Sequence, residues 1–244
     1  MDKQQIIKSI KILLIILLVG FSAFTIWAYT PPRPMEEAVE ALQSSETVSV
    51  FEERNYLAFV PNQNASTGLI LYPGGRINPK SYAPTAHNLA KEGYIVVVLT
   101  VPFNVALFAI ERGTQITEVF SEIDTWAIGG HSLGGVAAAE CVLRHPDLFA
   151  GLILMASYPN SDLSALNLQA LSIYGTRDGL ASVETITASS DLLPAATIWE
   201  EIEGGNHAYF GYYGDQSGDL EATITREQQQ AQIITATSNF LSQL

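Results

Sequence analysis

The sequence predicts an α/β fold in which a mostly parallel central sheet carries helices on both faces. Two observations predict it: strand patterns alternate with helical spacing along most of the chain, and several of the strands are continuous apolar runs. Continuous runs are typical of strands that are covered on both faces. The chain has 244 residues, 48% of them hydrophobic and 15% charged, which excludes a disordered or low-complexity protein.

The charge balance and the cysteine content exclude several classes of function. The chain carries 12 Lys and Arg residues against 25 Asp and Glu, a net charge of −13. Such an acidic chain is a poor partner for nucleic acid, whose binding needs a basic face. Its single cysteine, Cys141, excludes an internal disulfide and a Cys-based metal site.

The amino end contains one long uncharged apolar segment, residues 12–29. Eighteen residues rise about 27 Å as a helix, which nearly matches a bilayer core of roughly 30 Å. Lysines precede the segment and acidic residues follow it, so we expect residues 1–11 in the cytoplasm and the rest of the chain outside it. The segment is therefore predicted to be a transmembrane anchor. A cleaved signal peptide, which would leave a secreted protein, is the alternative.

The remainder of the chain is predicted to be a linker and one domain. Residues 30–46 contain prolines at positions 31, 32 and 34 and continue as a short polar helix, which is typical of a spacer. Residues 47–244 are numerous enough to form one hydrophobic core. We therefore expect a single domain after the linker.

Strands are predicted where apolar or β-branched runs are bounded by turn residues. Val48–Phe51 and Tyr56–Val60 flank a polar turn and predict a hairpin. Gly68–Tyr72 is closed by Pro73-Gly74-Gly75, as expected of a buried strand before a turn. The other predicted strands are Tyr94–Leu99, Thr125–Ile128, Gly151–Met155, Leu171–Tyr174 and Thr197–Ile202.

Helices are predicted between these strands from spacing of apolar residues. Tyr82–Lys91 is followed by Gly93, a common helix stop. Because ligands of parallel sheets lie beyond the carboxyl ends of the strands, we expect the chemistry in the turns that follow the strands. The other predicted helices are Val105–Phe120, Leu133–Arg144, Val183–Leu193 and Thr225–Leu241.

The turn after the strand Thr125–Ile128 carries the pattern G-x-S-x-G, as Gly130-His131-Ser132-Leu133-Gly134. The pattern stands between a strand and a helix, which is the setting of a nucleophile elbow. Glycines allow a turn too tight for side chains, so the Ser132 hydroxyl is expected to stand above the sheet. The helix behind it directs free N–H groups and a positive dipole end toward the site. A Gly-rich turn with a helix-capping serine is the alternative interpretation.

A serine nucleophile needs a base, and the base needs an acid to orient it. In a fold with this elbow the chain order is serine, acid, histidine. His207 follows the strand Thr197–Ile202 in a Gly-rich loop, and it is the predicted base. Asp178 follows the strand Leu171–Tyr174 and is the predicted acid, with Asp162 as the second choice. An ordinary Asp-Gly turn is the alternative role of Asp178.

Backbone N–H groups are expected to bind the oxyanion of an acyl-transfer reaction. We expect one donor from Leu133 and a second from Gly75 or Arg76, in the loop after the strand Gly68–Tyr72. The Arg76 side chain either holds an anionic group in the site or stays in solvent. Other side chains predicted near the substrate, with core packing or helix capping as the alternative, are Asn104, His131, Tyr209 and Phe210.

The combined pattern resembles the α/β-hydrolase superfamily over residues 68–244. The resemblance implies an α/β-hydrolase fold and a serine hydrolase with a small-molecule ester or related acyl substrate, without a metal or an organic cofactor. It also implies the catalytic roles of Ser132, Asp178 and His207. Three further stretches are similar to compact dienelactone-hydrolase-like proteins: Leu71–Arg76, Pro102–Asn104 and Asn206–Gly214.

One departure from the superfamily pattern concerns the lid. Many relatives insert a helical lid after the strand that corresponds to Gly151–Met155, whereas here only about 15 residues separate Met155 from Leu171. We therefore expect no lid domain and an open cleft. Two alternatives to ester hydrolysis remain: an acyltransferase with the same triad, and a tethered binding protein that kept the fold without turnover.

Overall fold

A computed structural model describes residues 3–244, with the side chains of all of them except Lys3 and Ile6. Within this range the strands form one eight-stranded sheet in the order β1-β2-β4-β3-β5-β6-β7-β8. Two pairs are antiparallel, β1–β2 and β2–β4. The other five pairs are parallel: β4–β3, β3–β5, β5–β6, β6–β7 and β7–β8. The predicted mostly parallel sheet is confirmed. The strands are β1 (Val48–Glu52), β2 (Tyr56–Pro61), β3 (Thr67–Tyr72), β4 (Ile95–Leu99), β5 (Thr125–His131), β6 (Gly151–Met155), β7 (Gln169–Gly175) and β8 (Ile198–Ile202).

Helices cover both faces of this sheet, as predicted. Short 3₁₀ turns precede or follow several of them, and residues 156–168 connect β6 to β7 through turns without a helix. The helices within the described range are α1 (Lys3–Ala28), α2 (Glu36–Glu40), α3 (Ala83–Lys91), α4 (Arg112–Val119), α5 (Leu133–Arg144), α6 (Val183–Ala188) and α7 (Arg226–Leu241).

Two apolar clusters explain why the central strands are apolar throughout. Leu69 and Leu71 of β3 pack in the cluster that contains α3 and α7, whereas Ile70 packs in the cluster that contains α4 and α5. Successive side chains of a strand point to opposite faces, so a strand covered on both sides is expected to be apolar at successive positions. Each such fully buried side chain contributes roughly 1.5–3 kcal/mol. The same packing fixes the strand ends that carry the site.

The helix predicted over Val105–Phe120 is wrong in its first part. Residues Ala106–Ala109 form a 3₁₀ turn, and the α-helix begins only at Arg112. The hydroxyl of Tyr72 accepts a hydrogen bond from the Gly113 N–H at 2.9 Å and donates to the Ile110 carbonyl. A side chain from β3 thus interrupts the helical ladder, and a local sequence pattern does not contain this long-range bond.

The amino-terminal helix α1 contains the apolar segment Ile7–Ala28, which has 22 residues and a mean hydropathy of 2.4. By length and composition this segment is able to cross a membrane, although a signal sequence would satisfy the same criteria. The residues after it pack on the domain: Ala38 of α2 is fully buried, and the Met35 N–H donates to the Tyr212 carbonyl at 2.9 Å. The segment predicted as a linker is therefore in contact with the sheet domain.

The carboxyl end of α1 is fixed to the domain by side-chain hydrogen bonds. Arg76 donates from Nε to the Trp27 carbonyl at 3.0 Å and from Nη2 to the Thr30 carbonyl at 2.9 Å. Asn104 donates from Nδ2 to the Ala28 carbonyl at 2.8 Å. The last carbonyls of a helix have no partner within the helix. These bonds therefore complete the end of α1 with groups from the loops after β3 and β4.

Candidate active site

Ser132 occupies a strained turn between β5 and α5. Its φ of 52° and ψ of −123° lie in a region that residues other than glycine rarely adopt. Such strain persists only where the surroundings fix it, and it is common at functional sites. The Ser132 N–H donates to the Met155 carbonyl at 2.9 Å, and the Ser157 hydroxyl donates to the Ser132 carbonyl at 2.7 Å. Bonds to the β6 end thus hold the turn in place.

The two outer glycines of the G-x-S-x-G pattern are required by close backbone contacts. A Cβ on Gly130 would lie 2.2 Å from the carbonyl carbon of Gly134, and a Cβ on Gly134 would lie 2.3 Å from the Tyr72 carbonyl oxygen. Both distances are far below van der Waals contact, so no side chain fits at either position. The same contact brings the end of β3 against the start of α5.

Asp178 and His207 form a buried pair at the ends of β7 and β8. The carboxylate oxygen Oδ2 of Asp178 accepts a hydrogen bond from Nδ1 of His207 at 2.8 Å. The other oxygen, Oδ1, accepts the N–H groups of Leu180 at 2.8 Å and Ala181 at 2.7 Å. The exposed fraction of the two side chains is 0% for Asp178 and 1% for His207. The carboxylate therefore fixes the orientation of the imidazole ring.

Three backbone N–H groups were predicted as oxyanion donors, and the structure distinguishes their surroundings. Leu133 is the first residue of α5, and a Cβ on Gly75 would lie 3.3 Å from Leu133 Cδ2. Within the described residues, the N–H groups of Leu133 and Gly75 have no hydrogen-bond partner. The Arg76 N–H donates to the Asn104 carbonyl at 2.7 Å and is therefore already engaged. Leu133 and Gly75 thus lie close to each other, and each keeps an N–H group without a partner among the described residues.

A cleft of about 340 Å³ lies over this turn. Ser132, Leu133 and His207 line it, which brings together residues from the ends of β5 and β8. Its other walls come from residues that the sequence motifs did not indicate: Val136 lies in α5, and the others lie in loops of ordinary composition. These further lining residues are Val136, Ala156, Ser157, Tyr158, Leu180, Ala181 and Gln216.

The four side chains predicted near the substrate lie elsewhere. Asn104 binds the end of α1, as described above. His131 and Phe210 are buried and stack on each other with ring centroids 5.6 Å apart. Tyr209 packs under the Arg226 guanidinium at 4.1 Å. None of the four lines the cleft in the part of the chain that the structure describes.

His131 connects several parts of the site from beneath. Its ring centroid lies 4.6 Å from that of His207. The Tyr82 hydroxyl accepts the Gly74 N–H at 2.9 Å and shares a hydrogen bond of 2.9 Å with His131 Nδ1. Burial lowers the pKa of His131 well below its usual value, with a smaller contribution from His207. His131 is therefore a neutral ring that, through Tyr82, ties the Gly74 loop to the elbow.

Two polar side chains that the sequence did not single out hold the loops that carry Asp178 and His207. Asp219 accepts the N–H of Gly179 at 3.0 Å and of Ala208 at 2.8 Å. Gln229 of α7 accepts the Asn206 N–H at 2.9 Å and donates to the Asn206 carbonyl at 2.8 Å. A polar residue such as Gln229 on a helix is a weak signal for such a role, because the sequence does not show which distant backbone groups it binds.

The remaining acidic residues offer no alternative centre among the residues described. Asp162, the second choice for the acid, is exposed and accepts the Ser164 N–H of its own loop at 2.9 Å. Within residues 3–244, no group of three or more His, Cys, Asp or Glu side chains is placed to hold a metal ion.

The sheet topology and the strand-turn-helix at Ser132 define a class of protein. The model of the alpha/beta hydrolase family matches residues 68–231, well over half of the chain. The chain therefore belongs to the alpha/beta hydrolase family, and this membership supports a hydrolase-type activity that is compatible with a small-molecule substrate.

Among solved structures, the chain is similar to a protein described as a "predicted CIB-like hydrolase" from Thermoplasma acidophilum. The TM-score is 0.62 at 15% sequence identity, and the match covers 81% of this chain and 100% of that one. A likeness at this identity shows the fold alone. No curated protein matches the sequence significantly.

Proposed function

We propose that the protein is a serine hydrolase that cleaves carboxylic esters or related acyl compounds through an acyl-enzyme on Ser132. The observation that carries the proposal is the buried Asp178–His207 hydrogen bond of 2.8 Å beside the cleft that Ser132 and His207 both line. With Nδ1 engaged by the carboxylate, the proton stays on that nitrogen and Nε2 is left to accept another. A serine, a base and an orienting acid are the parts that acyl transfer requires.

In the proposed reaction, the Ser132 oxygen attacks the acyl carbon while Nε2 of His207 takes the hydroxyl proton. The tetrahedral intermediate then expels the leaving group, which receives that proton from His207. Water attacks the acyl-enzyme by the same route and regenerates the serine. In the described part of the chain no hydrogen bond joins Ser132 to His207, so the hydroxyl has to turn toward Nε2 when substrate binds. Catalytic hydrogen bonds often tighten only at that stage.

We assign the oxyanion donors to the N–H groups of Leu133 and Gly75. Two observations support this assignment over one with Arg76. Leu133 and Gly75 lie close to each other, and among the described residues their N–H groups have no hydrogen-bond partner, whereas the N–H of Arg76 has one. The helix α5 adds the positive end of its dipole at the same place. Each donor of this kind contributes about 3 kcal/mol to the transition state.

Hydrolysis is preferred to acyl transfer because the cleft has no lid. Residues 156–168, where many relatives carry a lid, contain only turns here, and transfer to another acceptor requires water to be kept from the acyl-enzyme. Product analysis with an added alcohol separates the two reactions: the free acid is expected as the main product, and a predominant new ester would identify an acyltransferase.

We further propose that α1 is an uncleaved anchor, with residues 1–11 in the cytoplasm, 12–29 in the membrane and the domain of residues 47–244 outside the cytoplasm. The bonds from Arg76 and Asn104 to the end of α1 support an uncleaved helix, because its removal would leave both side chains without these acceptors. The lysines before the apolar segment support the orientation. The expected result is a membrane-bound chain of the full 26.5 kDa; a shorter secreted product would contradict the proposal.

The nucleophile is tested by labelling with a fluorophosphonate, which reacts with activated serines. The wild-type protein is expected to be labelled, and the variant Ser132→Ala is not. Ser164→Ala, which changes an exposed serine in the loop after β6, is the matched control and is expected to label normally. Persistent labelling of Ser132→Ala would overturn the assignment. Separately, a panel of esters of increasing acyl length defines the substrate range of the wild-type protein.

A further inference from the structure

We infer that the domain is seated on the lipid bilayer through an apolar patch beside α1, formed by Phe103, Leu107 and Phe108. The partner of this surface is the boundary between the lipid headgroups and the acyl chains. The inference goes beyond ester hydrolysis, and it rests on the proposed anchor.

The first observation is that the joint between α1 and the domain is built from strained residues. Arg76, Phe103 and Asn104 have φ values of 56°, 56° and 51°, and all three contact the last residues of α1 or the segment just after it. Residues other than glycine hold such angles only where their surroundings determine them. The Arg76 guanidinium also lies 4.4 Å from the Trp27 ring centroid. The helix is therefore joined to the domain rigidly rather than through a loose tether.

The second observation fixes the depth of the joint along the helix. The Phe103 ring centroid lies 6.5 Å from that of Phe21 and 5.5 Å from that of Phe24. Phe21 precedes the end of the apolar segment at Ala28 by about two helical turns, which corresponds to about 10 Å along the axis. If this segment crosses the bilayer, Phe103 is level with its last two turns. A residue of the domain then lies within the membrane boundary.

The third observation is that exposed apolar side chains continue outward from Phe103. The ring of Phe108 lies 5.8 Å from that of Phe103, and 60% of Phe108 is exposed. Leu107 is 42% exposed. This patch is continuous with the exposed apolar surface of α1. Large exposed apolar groups next to an apolar helix are typical of contact with lipid.

The patch also orients the domain. Arg76 follows β3 and the residues of the patch follow β4, so both lie at the carboxyl edge of the parallel strands. Ser132 and His207 lie at the same edge, after β5 and β8. The edge that carries the candidate active site therefore faces the membrane. Insertion by apolar side chains, rather than attraction to anionic lipids, suits a chain whose net charge is −13.

The experiment measures the depth of single labels in the full-length protein. A nitrobenzoxadiazole dye is attached to Phe108→Cys, and the protein is placed in phosphatidylcholine vesicles without quencher, with 5-doxyl phosphatidylcholine as a shallow quencher, or with 12-doxyl phosphatidylcholine as a deep quencher. Val119→Cys is the matched control, because Val119 is 54% exposed but ends α4 at the opposite edge of the sheet. Leu17→Cys reports insertion of α1. The native Cys141 is fully buried and does not compete for the dye.

Quenching of the dye at position 108 by the 5-doxyl lipid and of the dye at position 17 by the 12-doxyl lipid, with no quenching at 119 by either lipid, is the expected result. Leu107→Cys repeats the measurement if Phe108→Cys does not fold. An unquenched dye at position 108, together with a quenched dye at position 17, would overturn the inference. A patch covered by another protein or by a second copy of this chain would give that result. A dye at 17 that is unquenched would overturn the anchor as well. Hydrolysis of a water-soluble ester, measured in parallel, shows independently whether the proposed activity holds.

Discussion

Asp178 is the residue whose contacts most restrict its chemistry. One of its carboxylate oxygens accepts hydrogen bonds from two backbone N–H groups, and the other accepts one from His207 Nδ1. Both oxygens of Asp178 therefore have to act as acceptors. An amide in this place would keep its oxygen on the two N–H groups of the loop and present its NH₂ group to His207. The imidazole would then carry its proton on Nε2, which is the wrong tautomer for a base.

The variant Asp178→Asn is therefore expected to lower kcat by about 10³- to 10⁴-fold with little change in KM. Steady-state kinetics on a water-soluble ester provide the measurement. Asp162→Asn is the control, because Asp162 bonds only within its own exposed loop, and its kcat is expected to match the wild type. A wild-type kcat in Asp178→Asn would show that another group orients the histidine.

At the scale of elements, the loops after β3 and β4 and the end of α1 act as one unit. The backbone N–H of Arg76 donates a hydrogen bond to the loop after β4, and its guanidinium N–H groups donate hydrogen bonds to carbonyls at the end of α1. Gly75, the proposed oxyanion donor, is the preceding residue. The position of this donor therefore depends on a helix that lies outside the sheet domain.

Replacing Arg76 by Lys keeps the charge but removes the two-pronged contact with the helix end. We expect kcat on a water-soluble ester to fall roughly tenfold with KM nearly unchanged, since part of one oxyanion contact is lost. Arg144→Lys, in a surface ion-pair cluster with Glu111 and Glu140, is the control and is expected to retain full activity. A lower melting temperature with unchanged kcat would mean that Arg76 only stabilises the fold.

The elements also show what the sequence is able to predict. All eight strands are predicted from the sequence, because apolar runs and turn residues are local signals. Ser132 was found through a local motif, and Asp178 and His207 through their order after the strands; their catalytic roles stay predictions.

The features that the sequence did not predict depend on contacts between distant residues. Tyr72 interrupts the predicted helix, Asp219 and Gln229 hold the loops of Asp178 and His207, and Asn104 binds α1 rather than lining the cleft. Each of these bonds joins side chains to partners more than ten residues away. A pattern of hydrophobicity or turn residues carries no information about such pairs.

For the whole molecule, burial of an ionisable group under the site links folding to pH. His131 is fully buried, and its pKa in the folded protein lies well below its usual value because water is excluded. In the unfolded chain the same imidazole takes up a proton near pH 6.5. The unfolded state therefore binds more protons below this pH, and stability falls as the pH decreases.

The free energy of unfolding is expected to fall between pH 6.5 and 5.5, with a contribution from His131 of up to about 1.4 kcal/mol per pH unit. Urea unfolding of the full-length protein in detergent at the two pH values measures it. His131→Gln removes the titrating group. The free energy of unfolding of this variant is therefore expected to fall less than that of the wild type over the same pH interval, by the contribution of His131. Equal losses in the two proteins would show that His131 does not carry the effect.

The rigid joint at the end of α1 has a kinetic consequence if the domain is seated as proposed. An ester dissolved in the adjoining leaflet would reach Ser132 by lateral diffusion, without first escaping into water. Turnover would then follow the mole fraction of that ester among the lipids, and adding inert phospholipid at constant total substrate would slow the enzyme.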